Sequence, residues 1–392
     1  MDLFKKAYDY TLADEYKEKN IYPYFHCLES KQAPVVQMEG KRMIMLGSNN
    51  YLGLTANDEM IEAGIKAIEK YGTGCSGSRF LNGTLDLHME LENELATFLR
   101  KEAVCTFSTG FQSNLGAISA IIGRNDYIIC DRENHASIYD GCKLSYGTML
   151  RYQHNDMVQL EKMLQKVPET SGCLIITDGV FSMTGDIAKL PEIVALAKKY
   201  GARVMVDDAH ALGVIGEGGR GTASYFGLEN EVDIYMGTFS KSLASLGGFM
   251  AASEQVISYV KHHSRPFIFS ASITPACAAV TLAALKHLEA HPELPKKVCD
   301  IAAYAEKGMD ERGIKHGGDT FIPIIPLYTS TMEKTLLIAK VLFDNGVYVN
   351  PVLPPATPPE DCLLRTSYMA SHTEDVIDEA LDIVKDITSK YL

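Results

Sequence analysis

The chain has 392 residues, 46% of them hydrophobic, and a net charge of −13. That length suits a large core in two or three lobes, and the acidic balance argues against non-specific binding to nucleic acid or to a strongly anionic membrane. Nine cysteines lie scattered with no C-x-x-C pair, so they read as reduced, mostly buried thiols of a cytoplasmic protein rather than as disulfides or a metal centre.

The opening residues, Met1 to Lys6, lack the apolar core of a signal peptide. No apolar run is long enough to cross a membrane; the longest lies near Ala276 to Leu285. Leu3 to Asn20 has helical spacing, and Arg42 to Leu46 reads as a short strand. Gly47 to Leu54 is a turn crowded with small and amide side chains. It is either a plain loop or a place where a carboxamide lies near a substrate carboxylate. Asn57 to Tyr71 reads as a helix stopped by Gly72. The glycine-rich run Gly72 to Arg79 suggests close backbone approach or a flexible loop. Asp86 to Arg100 is amphipathic, with Leu87, Leu91, Leu95 and Phe98 on one face.

From Val104 the pattern alternates strand, small-residue turn and helix. Val104 to Phe107 leads through Ser108-Thr109-Gly110-Phe111 to a helix over Leu115 to Ile122. Free amides at a helix start favour phosphate. Tyr127 to Cys130 ends near His135, where α/β folds place ligands. His135 could stack on a planar ring or could simply cap a helix. Cys173 to Thr177 leads to Asp178 and Ser182. Pro191 to Lys199 is helical. Arg203 to Val206 ends in Asp207, Asp208 and His210, too few ligands for a metal site. Val232 to Met236 leads to Thr238-Phe239-Ser240-Lys241. Lysine does covalent carbonyl chemistry when desolvation or a nearby cation makes its neutral amine easier to form; alone, it would be an ordinary solvated charge. Gly216 to Gly221 matches G-x-G-x-x-G without its strand–helix context, and Lys241-Ser242 lacks the glycines of a P-loop.

Gly247 to Met250 reads as a strand, Glu254 to His263 as a helix, Arg265 to Ser272 as extended, and Pro275 to Ala290 as a long helix. His287 to Pro292 marks a lobe boundary. Longer helices follow (296–312, 333–345, 374–391), with a stiff proline loop at 351–359. Arg365 sits in an apolar strand-like run. A buried guanidinium needs an anion, either a structural partner or a substrate carboxylate. Alternating strands and helices up to about Met250 predict an α/β fold with a mostly parallel sheet covered on both faces.

The motifs Asn49 to Leu54, Ser108 to Phe111, Asn134 to Ser137, Asp207 to His210, Gly237 to Lys241 and Leu363 to Ser367, in this order across nearly the whole chain, resemble the α-oxoamine synthases. These are pyridoxal-phosphate enzymes of fold type I that condense an amino acid with an acyl-CoA and release CO2. The resemblance implies a large domain with a mostly parallel seven-stranded sheet and a smaller α+β C-terminal domain: an N-terminal helix and arm over 1–56, the cofactor domain over 57–290, and the small domain over 291–392. It implies pyridoxal 5'-phosphate as cofactor and Lys241 as the lysine that binds it covalently. His135 would stack on the ring, Asp207 would pair with the ring nitrogen, and His210 would reach the ring hydroxyl. Gly110, Phe111, Ser182, Thr238 and Ser240 would hold the cofactor or its phosphate. Ser270 and Ala271 would reach the phosphate of a partner subunit, which implies a homodimer with shared sites. Asn50 and Arg365 would take the substrate carboxylate, and His135 would also bind the substrate.

Gly77 to His88, Thr238 to Phe249 and the Pro354-Pro355-Ala356-Thr357-Pro358 loop are most similar to the bacterial branch that joins L-serine to palmitoyl-CoA and makes 3-oxosphinganine, the first step of sphingolipid biosynthesis. The alternatives are a glycine C-acetyltransferase and the more distant synthases of 8-amino-7-oxononanoate and 5-aminolevulinate. A non-catalytic partner subunit is a further class, and the intact Lys241 argues against it. A palmitoyl-CoA enzyme of this kind would touch a membrane only peripherally.

Overall fold

The computed structural model describes residues 2–319 and 321–392. In chain order its strands are β1 (Val35–Met38), β2 (Lys41–Met45), β3 (Ala103–Phe107), β4 (Tyr127–Asp131), β5 (Thr148–Tyr152), β6 (Cys173–Asp178), β7 (Arg203–Asp207), β8 (Ile234–Thr238), β9 (Gly248–Ala252), β10 (Ile324–Ser330), β11 (Val347–Tyr348), β12 (Asn350–Val352) and β13 (Cys362–Ser367). They divide between two compact units, one of residues 49–299 and one of residues 1–48 with 300–392.

The first unit holds the seven-stranded sheet, in the order β3-β9-β8-β7-β6-β4-β5. β4, β5, β6, β7 and β8 pair in parallel, and β9 runs opposite to both β8 and β3. The strands are short apolar runs because helices cover both faces. β6, β7 and β8 bury nearly every residue. Ile118, Ile128, Ile138, Leu174, Met205, Met236 and Met250 pack into one core cluster. The chain crosses from β5 back over β4 to β6, so the strand order reverses beside β4. The carboxyl ends of β4 and β6 therefore flank the crevice where open α/β sheets bind ligands.

Several local expectations shift. The helix expected over Leu115 to Ile122 spans Gly110–Ile121. Thr109 caps it by accepting a hydrogen bond from the Gln112 N–H at 3.1 Å, so the small-residue turn is its first turn. The segment expected to be extended after Ser264 is instead a short helix, Arg265–Ile268, with a proline in its first turn. The single N-terminal helix is two, Lys5–Tyr8 and Leu12–Glu18. The helices Ala136–Leu144 and Met157–Leu164 and the strand β5 had no clear sequence signal.

The second unit has two small sheets, β1-β2-β11 and β10-β13-β12. They are stitched through Leu46, whose N–H donates to Tyr348 O and whose carbonyl accepts from the Ser367 N–H. Ile44, Leu46, Ile325, Leu327, Leu364, Tyr368 and Leu381 share its core. The helices Met332–Asp344 and Glu374–Tyr391 lie within a residue of their expected bounds.

Candidate active site

A cavity of about 320 Å³ opens at the carboxyl ends of β6, β7 and β8, lined among others by Gly110, Phe111, His135, Asp178, Asp207, His210, Thr238, Ser240 and Lys241. That size falls in the range of small-molecule sites, roughly 300–1,000 Å³. Its walls come from four strand ends and one helix start.

The helix start is brought in by glycine. A Cβ on Gly110 would lie 2.7 Å from Thr238 Oγ1, and one on Gly248 would lie 2.7 Å from Gly110 Cα. Only bare backbone lets the helix Gly110–Ile121 cross β9 and set its first-turn amides against the end of β8. There Thr238 Oγ1 donates to Gly247 O at 3.0 Å, so the Ser240 hydroxyl, 2.9 Å away, is the donor between the two side chains. First-turn amides and these hydroxyls make an anion site. Lys241 begins the tight loop that returns to β9, held by the Ala244 N–H on Lys241 O and the Phe239 N–H on Gly247 O.

The β4 end is pinned to β6 by Asn134, whose side-chain amide donates to Ile176 O at 2.8 Å and accepts from the Asp178 N–H at 3.0 Å. His135 follows. Its N–H donates to Asp178 Oδ2 at 3.1 Å. Its ring caps the helix Ala136–Leu144 by accepting from the Ser137 N–H, which is the helix-cap reading of this histidine, and the same residue lines the cavity. The surrounding protein pushes the His135 pKa below its ordinary value, through burial first and the Lys241 charge second, against the pull of Asp207. The ring is thus biased towards the neutral form.

Asp207 is buried at the end of β7. Its Oδ1 accepts from the Ala209 N–H at 3.0 Å and its Oδ2 from Asn114 Nδ2 at 2.7 Å. Asp178, its register neighbour on β6, is pushed well above the usual carboxylate range by burial and by the Asp207 charge. Asp178 Oδ1 is buried with no hydrogen-bond partner. Asp208 points away from the cavity lining and accepts from the Thr222 N–H; burial holds its carboxyl up at about 7. His210 Nδ1 lies 2.7 Å from the Tyr51 hydroxyl.

The cavity thus collects eight of the expected residues. The others lie elsewhere. Ser182 is in the loop after β6, outside the cavity lining. Ser270 and Ala271 sit against the helix start, where Gln112 Nε2 donates to Ser270 Oγ at 3.1 Å and the Ser108 hydroxyl donates to Ala271 O. The Asn50 side chain donates to Thr55 Oγ1 at 2.7 Å within its own loop. Arg365 is buried on β13 of the other unit, 4% exposed. Sequence reading gave no role to Asn114, Ser137, Asp178 or Tyr51. A polar residue one turn into an apolar helix was the available signal for Asn114. No cluster of metal ligands exists among the described residues.

An amine, an imidazole, a carboxylate braced at both oxygens and a helix-start anion site fit a flat ring compound that carries a basic nitrogen and a phosphate. The orphaned Asp178 oxygen shows that this pocket is built for something polar.

The family described as aminotransferase class I and II matches residues 41–384. A serine palmitoyltransferase of Bacteroides ovatus is 53% identical over 97% of this chain and 96% of its own length. An 8-amino-7-oxononanoate synthase of Thermoanaerobacter pseudethanolicus is 42% identical over 94% and 93%. A solved serine palmitoyltransferase with its pyridoxal-phosphate internal aldimine superposes with a TM-score of 0.95 and 37% identity, covering 100% of this chain and 99% of that one. The chain belongs to the class I and II aminotransferase family, as a pyridoxal-phosphate-dependent acyltransferase of fold type I in its α-oxoamine synthase branch.

Proposed function

We propose that the protein condenses L-serine with palmitoyl-CoA, releasing CoA and CO2 and forming 3-oxosphinganine. The observation that carries this reading is the convergence of Lys241, His135, Asp207 and His210 on one cavity at the strand ends. The choice of substrates is supported by the higher identity to relatives named serine palmitoyltransferase than to those named 8-amino-7-oxononanoate synthase.

When bound, pyridoxal phosphate supplies an electron sink for negative charge that develops at the amino acid's Cα. Asp207 keeps a proton on the ring nitrogen, which deepens that sink. His135 would stack on the ring and His210 would reach the ring hydroxyl. The first-turn amides at Gly110 and Phe111, with Thr238, Ser240 and Ser182, would hold the cofactor or its phosphate. Lys241 Nζ would hold the cofactor covalently, and its amine would serve as the base that takes the Cα proton. Asn50, Arg365 and His135 take the substrate carboxylate. Ser270 and Ala271 complete the phosphate site of a second copy, so the active form is a homodimer. Among the described residues no helix is long and apolar enough to cross a membrane. In this reading the enzyme is cytoplasmic and meets membrane only peripherally, to release an amphipathic product.

The test is CoA release by purified, cofactor-loaded protein, with L-serine plus palmitoyl-CoA against glycine plus acetyl-CoA. Turnover with the first pair is expected. Turnover with the second pair alone would replace this reading with a glycine C-acetyltransferase.

A further inference from the structure

We propose that Asn114 is a positioning residue that holds Asp207 and, through Ser137, locks the His135 imidazole in the tautomer with its hydrogen on Nε2. Four side chains on three elements form the chain: Asp207 on β7, Asn114 on the helix Gly110–Ile121, and Ser137 and His135 at the start of the helix Ala136–Leu144. Asn114 and Ser137 are essentially fully buried, so water does not compete for their hydrogen bonds.

The direction of every bond follows from one end. The Asp207 Oδ2 accepts, so the Asn114 amide must face it with its NH2 group, at 2.7 Å. The second hydrogen of that NH2 goes to Ser137 Oγ at 2.9 Å. With a lone pair so occupied, the Ser137 hydroxyl hydrogen turns to the next acceptor, His135 Nδ1, at 2.7 Å. The Ser137 backbone N–H also points at Nδ1, from 3.3 Å, as the helix cap. Two donors converge on Nδ1, which must therefore present a bare lone pair. The hydrogen of the neutral ring is then on Nε2.

The arrangement has a cost that argues for it. Asn114 Oδ1 is buried with no hydrogen-bond partner. Turning the amide over would let that oxygen accept from the Ser137 hydroxyl, but it would set it against the Asp207 oxygen at hydrogen-bond distance and leave both NH2 hydrogens without an acceptor. The orphan is the cheaper choice, and it is kept because the chain it permits ties two functional groups together.

The consequence for catalysis rests on the function proposed above. His135 then offers the substrate carboxylate an N–H donor whose position is set before binding. The same amide that sets it also fixes the carboxylate at the ring nitrogen. Loss of Asn114 disturbs both groups at once, which a purely structural asparagine would not do.

The test begins without cofactor. Long-range proton–nitrogen NMR on full-length protein labelled at histidine nitrogen, with the His135 signals assigned from His135→Gln, reads the tautomer directly. Wild type is expected to show a pyridine-type Nδ1 and a pyrrole-type Nε2; a hydrogen on Nδ1 would overturn the inference. Asn114→Ala and Ser137→Ala should each give mixed tautomers, and Ser137→Thr, which keeps the hydroxyl, should preserve the wild-type pattern. An unchanged tautomer in both alanine variants overturns the relay. In the loaded enzyme, loss of one such bond should raise the serine KM roughly fivefold, with rescue by Ser137→Thr. A lost tautomer with unchanged KM overturns the catalytic part. If the tautomer is as stated but no serine-dependent turnover occurs, the relay stands and the substrate reading is what fails.

Discussion

Two buried polar clusters lie in the same unit, one beside the edge strand β3 and the other at the end of β7, and they are built on opposite terms. Around Glu92, every strong group is answered. Arg79 Nη1 donates to Glu92 Oε1 at 2.6 Å and to Thr106 Oγ1 at 2.7 Å, the Thr106 hydroxyl and N–H both donate to the same carboxylate oxygen, and Lys261 Nζ reaches Glu92 Oε2 at 3.0 Å. Burial pushes Glu92 up, but the Arg79 guanidinium, with the Lys261 ammonium and the Thr106 N–H, holds the carboxyl below its usual value. Around Asp207, by contrast, buried oxygens of Asp178 and Asn114 have no hydrogen-bond partner, and the acids are crowded rather than neutralised. The first cluster lines no part of the cavity and the second forms its wall. Burial of charge therefore does not mark function; unanswered polar atoms facing a cavity do.

The largest effect tests the cavity side. Lys241→Ala should abolish the visible absorbance of covalently held cofactor and lower turnover by about 10³-fold or more, with circular dichroism unchanged. A variant that keeps both signals would sink the site assignment.

The saturated cluster should respond in the other currency. Glu92→Gln leaves the buried Arg79 guanidinium and the partly exposed Lys261 ammonium short of their anion and should cost about 3–5 kcal/mol of stability, by analogy with broken buried pairs, read by denaturant unfolding. Turnover per folded molecule should stay within about twofold. Because the folded-state Glu92 pKa lies below its ordinary 4.5, the wild-type contribution is present above that value and is lost as pH falls through the folded pKa. Glu92→Gln should remove that acid-side loss. A catalytic defect without a stability defect would erase the distinction drawn above.

Arg365, a buried cation of the second unit, decides which of the two patterns it follows. In the carboxylate-binding role Arg365→Ala raises the serine KM by the equivalent of roughly 2–5 kcal/mol. An unchanged KM with lowered stability would class it with Arg79.

His154 supplies an intermediate case. Burial pushes its pKa down, but the carboxylates of Asp131 and Asp186, at 3.1 and 2.5 Å, win and hold it up at about 10. A raised cation stabilises fully below its unfolded value of 6.5 and stops doing so as pH rises through about 10. Stability should therefore decline across that window in wild type, and His154→Gln should flatten the decline. The smallest effect is expected from Phe111→Tyr. Backbone amides bind the phosphate in the proposed site, so cofactor affinity should change by no more than about twofold.

Strand ends were legible because each ends an apolar run with a chemically distinctive residue: His135 after β4, Asp207 on β7, Lys241 after β8. The partners of those residues were not. Asn114 meets Asp207 across 93 residues of sequence, and Tyr51 meets His210 across 159. No local pattern encodes which polar side chain in a distant helix or loop will face a given strand end. The start of the helix Gly110–Ile121 was displaced for a related reason. Its first turn is rich in glycine and serine, poor helix formers, and it is helical because Thr109 caps it and β8 receives it.

What the sequence determined by itself is what short-range chemistry controls: apolar runs that must be strands, amphipathic spacing that must be helix, and the identity of the amine, imidazole and carboxylate available for reaction. Only the tertiary structure decided the strand order, the reversal beside β4 and the antiparallel β9, and through them which groups converge. It also decided that residues 1–48 fold with residues 300–392, since β2 pairs in parallel with β11. The physical reason is that pairing and burial energies accrue between segments far apart in the chain. A strand's partner is chosen by the whole core it helps to bury, and its own residues specify only that it needs one.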